Sequence, residues 1–155
     1  MSAAAVARSS TTSPAALLNI SGLNLVLPQI DIRALESASD VDVGEAEPFS
    51  IGWIQYEQQR WPVYCISHEL SLLVDVPGER RVCVLLGAGA GYVGILCDEV
   101  SIGKQVVLGQ QHELPSAMHM PNTPVLGLTT LDADNVACVT NAQALVAYVA
   151  RLVQT

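Results

Sequence analysis

Residues 81–97 read Arg-Val-Cys-Val-Leu-Leu-Gly-Ala-Gly-Ala-Gly-Tyr-Val-Gly-Ile-Leu-Cys, and this stretch decides the fold. Two apolar runs rich in strand-forming residues, 81–86 and 92–97, flank the glycine-rich segment 87–91. Residues 89–94 match the dinucleotide-binding pattern G-x-G-x-x-G, but that site needs a helix that starts at the glycines. Strand formers follow instead, so the stretch predicts two strands joined by a glycine-rich turn, and no cofactor site.

The remainder of the chain adds more strands and one helix. Further strand-like runs, of which 105–108 is the weakest, lie at 23–27, 51–56, 62–66, 105–108, 125–131 and 135–139. Because these runs do not alternate with helices, the pattern favours a β-barrel or sandwich over a βαβ sheet.

Local signals define the connections. Pro28 and the following residues 29–36 allow one or two helical turns, and the polar residues 57–60 predict a longer hairpin loop. Asp132–Asp134 predicts a tight turn. Thr140 and Gln143 form a T-x-x-Q capping box before a helix with apolar residues at helical spacing.

Composition limits the function. The 155 residues fit one domain, in which residues 1–18 are predicted to be a flexible tail and residues 19–155 the folded part. With 15 acids against 7 bases, the net charge of −8 disfavours nucleic acid and anionic membranes. No apolar run reaches the roughly 18 residues of a membrane-spanning helix, and no signal peptide is recognisable, so we expect a cytoplasmic protein without membrane insertion. Only 14% of residues are charged, which indicates either a partner-covered surface or an alanine-rich one.

No catalytic or metal-binding pattern is complete. His68-Glu69 begins the zinc-protease pattern H-E-x-x-H, but Leu72 stands where the second histidine belongs. The four cysteines form no C-x-x-C pair and lie in apolar runs, which predicts buried free thiols. We therefore expect no enzyme, no metal and no cofactor.

The order of the segments resembles the CheW-like domain family. Residues 25–30, a strand that runs into Pro28, resemble the family's opening, and Pro62-Val63 follow Gly52 at the spacing of the family's hallmark hairpin, G-x-x-N-x-R-G-x-x-x-P-V. Residues 93–100, Val-Gly-Ile-Leu-Cys-Asp-Glu-Val, are similar to its V-G-I-V-V-D-x-V strand. Together with the final hairpin and helix, the resemblance covers about residues 19–152.

The resemblance implies a mainly β fold, with two five-stranded SH3-like barrels around a shared core and a C-terminal helix. It also implies a non-enzymatic adaptor that binds a CheA-type histidine kinase, a chemoreceptor or another signalling protein. The hallmark Asn, Arg and Gly fall here on Gln55, Glu57 and Gln58, so the usual contact residues differ. The predicted protein-binding residues are Gln55, Tyr56, Glu57, Gln58 and Arg60.

Two alternatives remain within the same fold. One is a small-ligand sensor, with residues 87–91 and the loop from His112 to His119 as the rims of its cleft. The other is an accessory protein of a type IV pilus chemosensory system, because Trp53 and Ser67 are similar to residues of such proteins.

Overall fold

The computed structural model describes residues 14–43, 49–89, 91–103, 111–112, 123–131 and 135–154. The predicted strand at 105–108, the turn at Asp132–Asp134 and residues 1–13 of the tail lie outside this part. The described strands are β1 (Ala15–Ile20), β2 (Leu23–Pro28), β3 (Ile32–Ser37), β4 (Gly52–Tyr56), β5 (Gln59–Ile66), β6 (Leu72–Leu73), β7 (Val82–Ala88), β8 (Gly91–Cys97), β9 (Glu99–Ile102), β10 (Gln111–His112), β11 (Gly127–Thr130) and β12 (Val136–Val139). The helices are α1 (Ala142–Gln154) and the short 3-10 helices Gln29–Asp31 and Ala38–Asp40.

The described strands form two curled sheets. Sheet A has the order β10-β11-β12-β2-β1-β9, and sheet B has the order β3-β7-β8-β5-β4 with β6 beside β5. Each sheet therefore contains five longer strands and one strand of two residues. The prediction of a mainly β chain with two β subdomains and a C-terminal helix is confirmed. None of the described helices has the length and apolar character that crossing a lipid bilayer requires.

The hairpin of β7 and β8 lies in the middle of sheet B. Its register runs from Val82 opposite Cys97 to Ala88 opposite Gly91, and Gly89 takes a positive φ of 57° at the turn. The predicted strand–turn–strand is therefore confirmed. Both faces of β7 are buried, which explains why its sequence is a continuous apolar run without polar alternation.

Two hydrophobic clusters meet at this hairpin. The larger one is shared by sheet A, sheet B and α1, and Leu18, Ile95 and Leu145, one from each, are fully buried in it. The smaller cluster fills the interior of sheet B and includes Trp61 and Leu85. Sheet B thus contributes to a shared core on one face and encloses a core of its own on the other.

Sheet B curls until its two ends meet. After β3 and the second 3-10 helix, the backbone of Asp42 exchanges two hydrogen bonds of 2.8 Å with the backbone of Trp53 in β4. Trp53 lies opposite Pro62 on β5, and proline has no amide hydrogen to offer. The polar backbone groups of Trp53 are therefore turned away from β5 and toward Asp42, which closes the sheet.

Two local expectations are corrected by the structure. Residues 15–18, assigned to the tail, lie in β1, where alternate residues such as Ala16 and Leu18 are buried in the shared core. Of residues 29–36, for which one or two helical turns are predicted, only Gln29–Asp31 is helical; the others lie in β3, because they pair with β7. In both places tertiary pairing outweighs a weak local signal.

The start of α1 also differs from the predicted capping box. The Ala144 amide donates to Oδ1 of Asn141 at 2.7 Å, so Asn141 is the cap, and asparagine is among the best N-cap residues. The Thr140 hydroxyl instead donates to the carbonyl of Pro124 at 2.6 Å. The Ala142 amide donates to Oδ2 of Asp31 at 3.0 Å, which ties the helix start to the segment between β2 and β3.

All four cysteines are free thiols, and Cys65, Cys83 and Cys97 are buried, as predicted. Burial raises the pKa of each thiol, that of Cys83 to about 12. Within the described part, no three His, Cys, Asp or Glu side chains gather closely enough to hold a metal ion.

The three buried thiols are expected to resist modification in the folded protein. At about pH 8, Ellman's reagent should react with Cys138, the only half-buried cysteine, well before the others, because only an accessible thiolate is nucleophilic. All four should react after unfolding in urea. The Cys138→Ser variant should lose the native-state reaction, and a rapid reaction that persists in this variant would contradict the burial.

Candidate functional site

The candidate site is the end of the β4–β5 hairpin, here called the hairpin tip and defined by Gln55, Tyr56, Glu57, Gln58 and Arg60. Tyr56 pairs with Gln59, so the connection contains only Glu57 and Gln58. Both have positive φ, 49° and 66°, which is the signature of a type I′ turn. The longer loop predicted for 57–60 is therefore wrong. The turn lacks the usual glycine, so the sequence did not signal its type.

The tip gathers four of the predicted residues on its exposed surface. Gln55 and Arg60 lie opposite each other in the hairpin register, and both are exposed, as are Glu57 and Gln58 in the turn. Tyr56 behaves differently, because it is half-buried and its ring packs edge-on against Trp61, with 5.7 Å between the ring centroids. Tyr56 therefore supports the tip from beneath.

Aromatic contacts hold the tip in place. Nε1 of Trp61 donates to the carbonyl of Tyr56 at 3.2 Å, and the buried Trp61 ring also meets Tyr92 edge-on at 5.0 Å. The Tyr56 hydroxyl donates to the carbonyl of Arg33 in β3 at 3.3 Å, so it bridges the two end strands of sheet B. The tip is thus braced from β3 and β8 as well as from its own hairpin.

Trp53 joins the tip, although it was not among the predicted contact residues. The guanidinium carbon of Arg60 lies 4.1 Å from the centre of the Trp53 ring, which is a cation–π arrangement. Strand alternation places Trp53 and Gln55 on one face, and the two-residue turn brings Arg60 to that face. Recognition of the turn would have revealed this pair from the sequence.

The turn carries strain that one substitution should relieve. Gln58 occupies a left-handed conformation that costs a residue with a side chain about 1–2 kcal/mol, whereas glycine adopts it freely. Gln58→Gly should therefore raise the free energy of unfolding by about 0.5–1 kcal/mol in urea denaturation. Gln59→Gly, one residue later in β5, is the matched control and should lower it by a similar amount. Equal destabilisation by the two variants would argue against the strain.

The described parts of the two rims proposed for a ligand sensor belong to different sheets. The glycine-rich turn belongs to the β7–β8 hairpin of sheet B, beside α1, where Gly91 faces Val146 too closely to admit a Cβ atom. The backbone of His112 lies in β10, at the end of sheet A, and residues 113–119 lie outside the described part. The turn borders a shallow groove of about 410 Å³ against α1, lined mainly by small residues.

Comparison with known proteins places the chain in a family. The family model described as "CheW-like domain" matches residues 15–150. Among solved structures, the chain is similar to the scaffolding protein TtCheW from Thermoanaerobacter tengcongensis, with a TM-score of 0.62 and 12% identity, over 84% of this chain and 89% of that one. A search of curated proteins finds no match. Since the family model spans nearly the whole described fold, the chain belongs to the CheW-like domain family.

Proposed function

We propose that this protein is a non-enzymatic adaptor in bacterial chemosensory signalling, and that it binds a partner protein through the hairpin tip. Membership of the CheW-like family over residues 15–150 carries the proposal. The structural similarity to a protein described as a scaffold supports the same role. The partner is a CheA-type histidine kinase, a chemoreceptor or another signalling protein, and the adaptor works in the cytoplasm.

The tip has the physical properties of a binding surface. Its exposed side chains are fixed on a type I′ turn that is braced by Trp61 and Tyr56, so little conformational freedom is lost when a partner docks. Arg60 stacked on Trp53 supplies the residue types that dominate binding energy in protein interfaces. Binding, orientation and release need no covalent step.

Glu57 gives the tip a distinct specificity. The family resemblance places an arginine at this position, so the charge of an exposed group at the turn is reversed. A surface that is complementary to one charge repels partners shaped for the opposite one. The adaptor therefore selects a partner whose facing surface is basic, and it discriminates against partners that carry an acidic patch there.

Reversal of this charge tests the proposal. Glu57→Arg should weaken binding to the regulatory domain of the CheA-type kinase from the same cell roughly tenfold or more in a calorimetric titration. The fold should be unaffected, because Glu57 is exposed. Glu69→Arg is the matched control, since Glu69 is also exposed but lies beyond the other end of β5, and it should leave the affinity unchanged. Unchanged affinity in Glu57→Arg would remove Glu57 from the interface.

A further inference from the structure

A β-bulge in β3 sets Arg33 apart from its neighbours. Ile32 lies opposite Leu86 on β7 and Ala34 lies opposite Leu85, so Arg33 is an extra residue without a counterpart on β7. Residues two apart in a regular strand face the same side, yet Ile32 packs against the shared core and Ala34 against the core of sheet B. The bulge makes this possible, and bulges often re-aim a side chain beside a functional site.

The Arg33 side chain lies at the end of the barrel that sheet B forms. Nη2 of Arg33 and Cη2 of Trp61 each lie 3.6 Å from the point that a Cβ atom on Gly87 would occupy. The guanidinium is therefore close to the edge of the buried Trp61 ring, while Arg33 as a residue is exposed. Within the part of the chain that the structure describes, no acid forms an ion pair with this guanidinium.

Arg33 adjoins the hairpin tip. Its carbonyl accepts the hydrogen bond from the Tyr56 hydroxyl, and Tyr56 directly precedes Glu57 in the turn, so one tyrosine side chain separates Arg33 from the turn. A typical protein interface covers about 800 Å² on each partner, which is far more than a two-residue turn presents. A partner that docks on the tip therefore also covers Arg33.

Covering this guanidinium has an energetic consequence. A charge that loses water without gaining a partner is costly, so a surface that covers Arg33 must offer it an acceptor. A carboxylate is the best match, because its two oxygens fit the forked N–H groups of a guanidinium and carry the opposite charge. Glu57 requires a basic group on the partner, and Arg33 requires an acidic one beside it.

We propose that Arg33 is a second specificity-determining residue at this surface, and that it pairs with an Asp or Glu carboxylate of the partner. This inference rests on the proposed function, because Arg33 acts on the same partner as the hairpin tip. The partner is then recognised by two charges of opposite sign, a base that faces Glu57 and an acid that faces Arg33. A uniformly basic surface satisfies only the first of them.

Two variants of Arg33 separate its charge from its packing. Arg33→Met keeps a long unbranched side chain beside Trp61 but removes the charge, and it should weaken binding to the regulatory domain of the CheA-type kinase from the same cell about tenfold. Arg33→Lys keeps the charge and should stay within about threefold of the parent protein. Arg81→Met is the matched control, since Arg81 is exposed and precedes β7 at the end opposite Gly87, and it should leave the affinity unchanged.

A charge swap tests the pairing itself. Each exposed Asp and Glu of the kinase domain is changed to Lys in turn and titrated against Arg33→Glu, and one of these changes should restore the affinity to within about threefold of the parent pair. Far-UV circular dichroism of every Arg33 variant should match that of the parent, because the residue is exposed.

The outcomes distinguish this inference from the proposed function. Undiminished affinity in Arg33→Met, equal losses in Arg33→Met and Arg33→Lys, or a swap that no partner position restores would overturn the role of Arg33. If Glu57→Arg still weakens binding in that case, the hairpin tip remains the contact surface. Affinity that neither Arg33→Met nor Glu57→Arg changes would contradict both proposals.

Discussion

Arg80→Ala is expected to lower the free energy of unfolding by about 3–5 kcal/mol, which is the range measured when one partner of a buried ion pair is removed. Against a total stability of about 5–15 kcal/mol for a domain, this loss removes a large share of the free energy of unfolding. The large loss is expected because the Arg80 side chain is fully buried. Its Nε lies 2.8 Å from Oδ1 of Asp98, with which it forms an ion pair.

The guanidinium joins parts of the fold that are distant in sequence. Nη1 donates to the carbonyl of Leu96 at 3.1 Å and to Sγ of Cys65 at 3.3 Å, both in sheet B. Nη2 donates to the hydroxyl of Ser21 at 2.8 Å, in the turn between β1 and β2 of sheet A. Asp98 lies between β8 and β9, where the chain passes from sheet B to sheet A. Arg80 therefore fastens the two sheets at their junction.

Graded variants separate this network from simple packing. Ser21→Ala removes one hydrogen bond and should lower the free energy of unfolding by about 1 kcal/mol. Arg80→Lys keeps the charge but loses the forked geometry of the guanidinium, so its loss of stability should lie between those of Ser21→Ala and Arg80→Ala. Urea denaturation at fixed pH measures all three. A loss of less than about 1 kcal/mol for Arg80→Ala would show that the junction does not depend on this side chain.

Gly52→Ala is expected to lower the free energy of unfolding by about 3–4 kcal/mol. A Cβ atom at this position would collide with the backbone carbonyl of Asp42 and lie 2.9 Å from Cγ1 of Val41. The collision would break the two hydrogen bonds between Asp42 and Trp53 that close sheet B, at about 1 kcal/mol each, and would add the cost of an overpacked site.

Gly78→Ala provides the matched control for this prediction. A Cβ atom there meets nothing within 4 Å, so the variant should be as stable as the parent or slightly more stable. Urea denaturation, followed by the fluorescence of Trp53 and Trp61 in the affected barrel, gives both values. Similar stabilities for the two alanine variants would mean that the Asp42 bridge does not close the barrel.

The sequence predicted the parts of the fold that depend on long apolar runs. The 81–97 stretch specifies both strands of the central hairpin, since its continuous apolar character is what a strand buried on two faces requires. It did not predict β1 or β3, because β1 follows a segment rich in Ser, Thr and Pro and because the adjacent apolar residues Ala34 and Leu35 interrupt the alternation expected of a strand in β3. Pairing with β2, β7 and β9 decides both strands, and a single sequence does not display such pairing.

The sequence predicted that the candidate residues lie at one end of a hairpin, but it predicted only part of their contacts and conformation. The spacing between Gly52 and Pro62 identified the hairpin, and the five named residues do lie at its end. The supporting role of Tyr56 and the contact between Arg60 and Trp53 depend on a two-residue turn that Glu57 and Gln58 form without glycine. Likewise, the sequence did not predict the role of Arg80, because nothing in the adjacent pair Arg80-Arg81 indicates that one of the two is buried.

The scaffold and the contact surface can therefore change independently. The stability of the fold resides in the shared core, the Arg80 network and the closure at Asp42, none of which includes an exposed tip residue. Substitutions at Gln55, Glu57 and Gln58 should consequently cost no more than about 1 kcal/mol of stability, which leaves the proposed contact surface free to vary. This separation explains how the chain retains a CheW-like fold while its hallmark contact residues differ.

The most direct measurement of the proposed role is site-specific photo-cross-linking in the native cell. A benzophenone amino acid placed at Gln58 should cross-link the adaptor to a histidine kinase, a receptor or another signalling protein, identified by mass spectrometry. The same group at Val136, exposed on sheet A, is the reference for non-specific capture. We predict a signalling protein captured from position 58 and absent from position 136. Cross-links that are identical at the two positions, or none at position 58, would contradict an adaptor that binds through the hairpin tip.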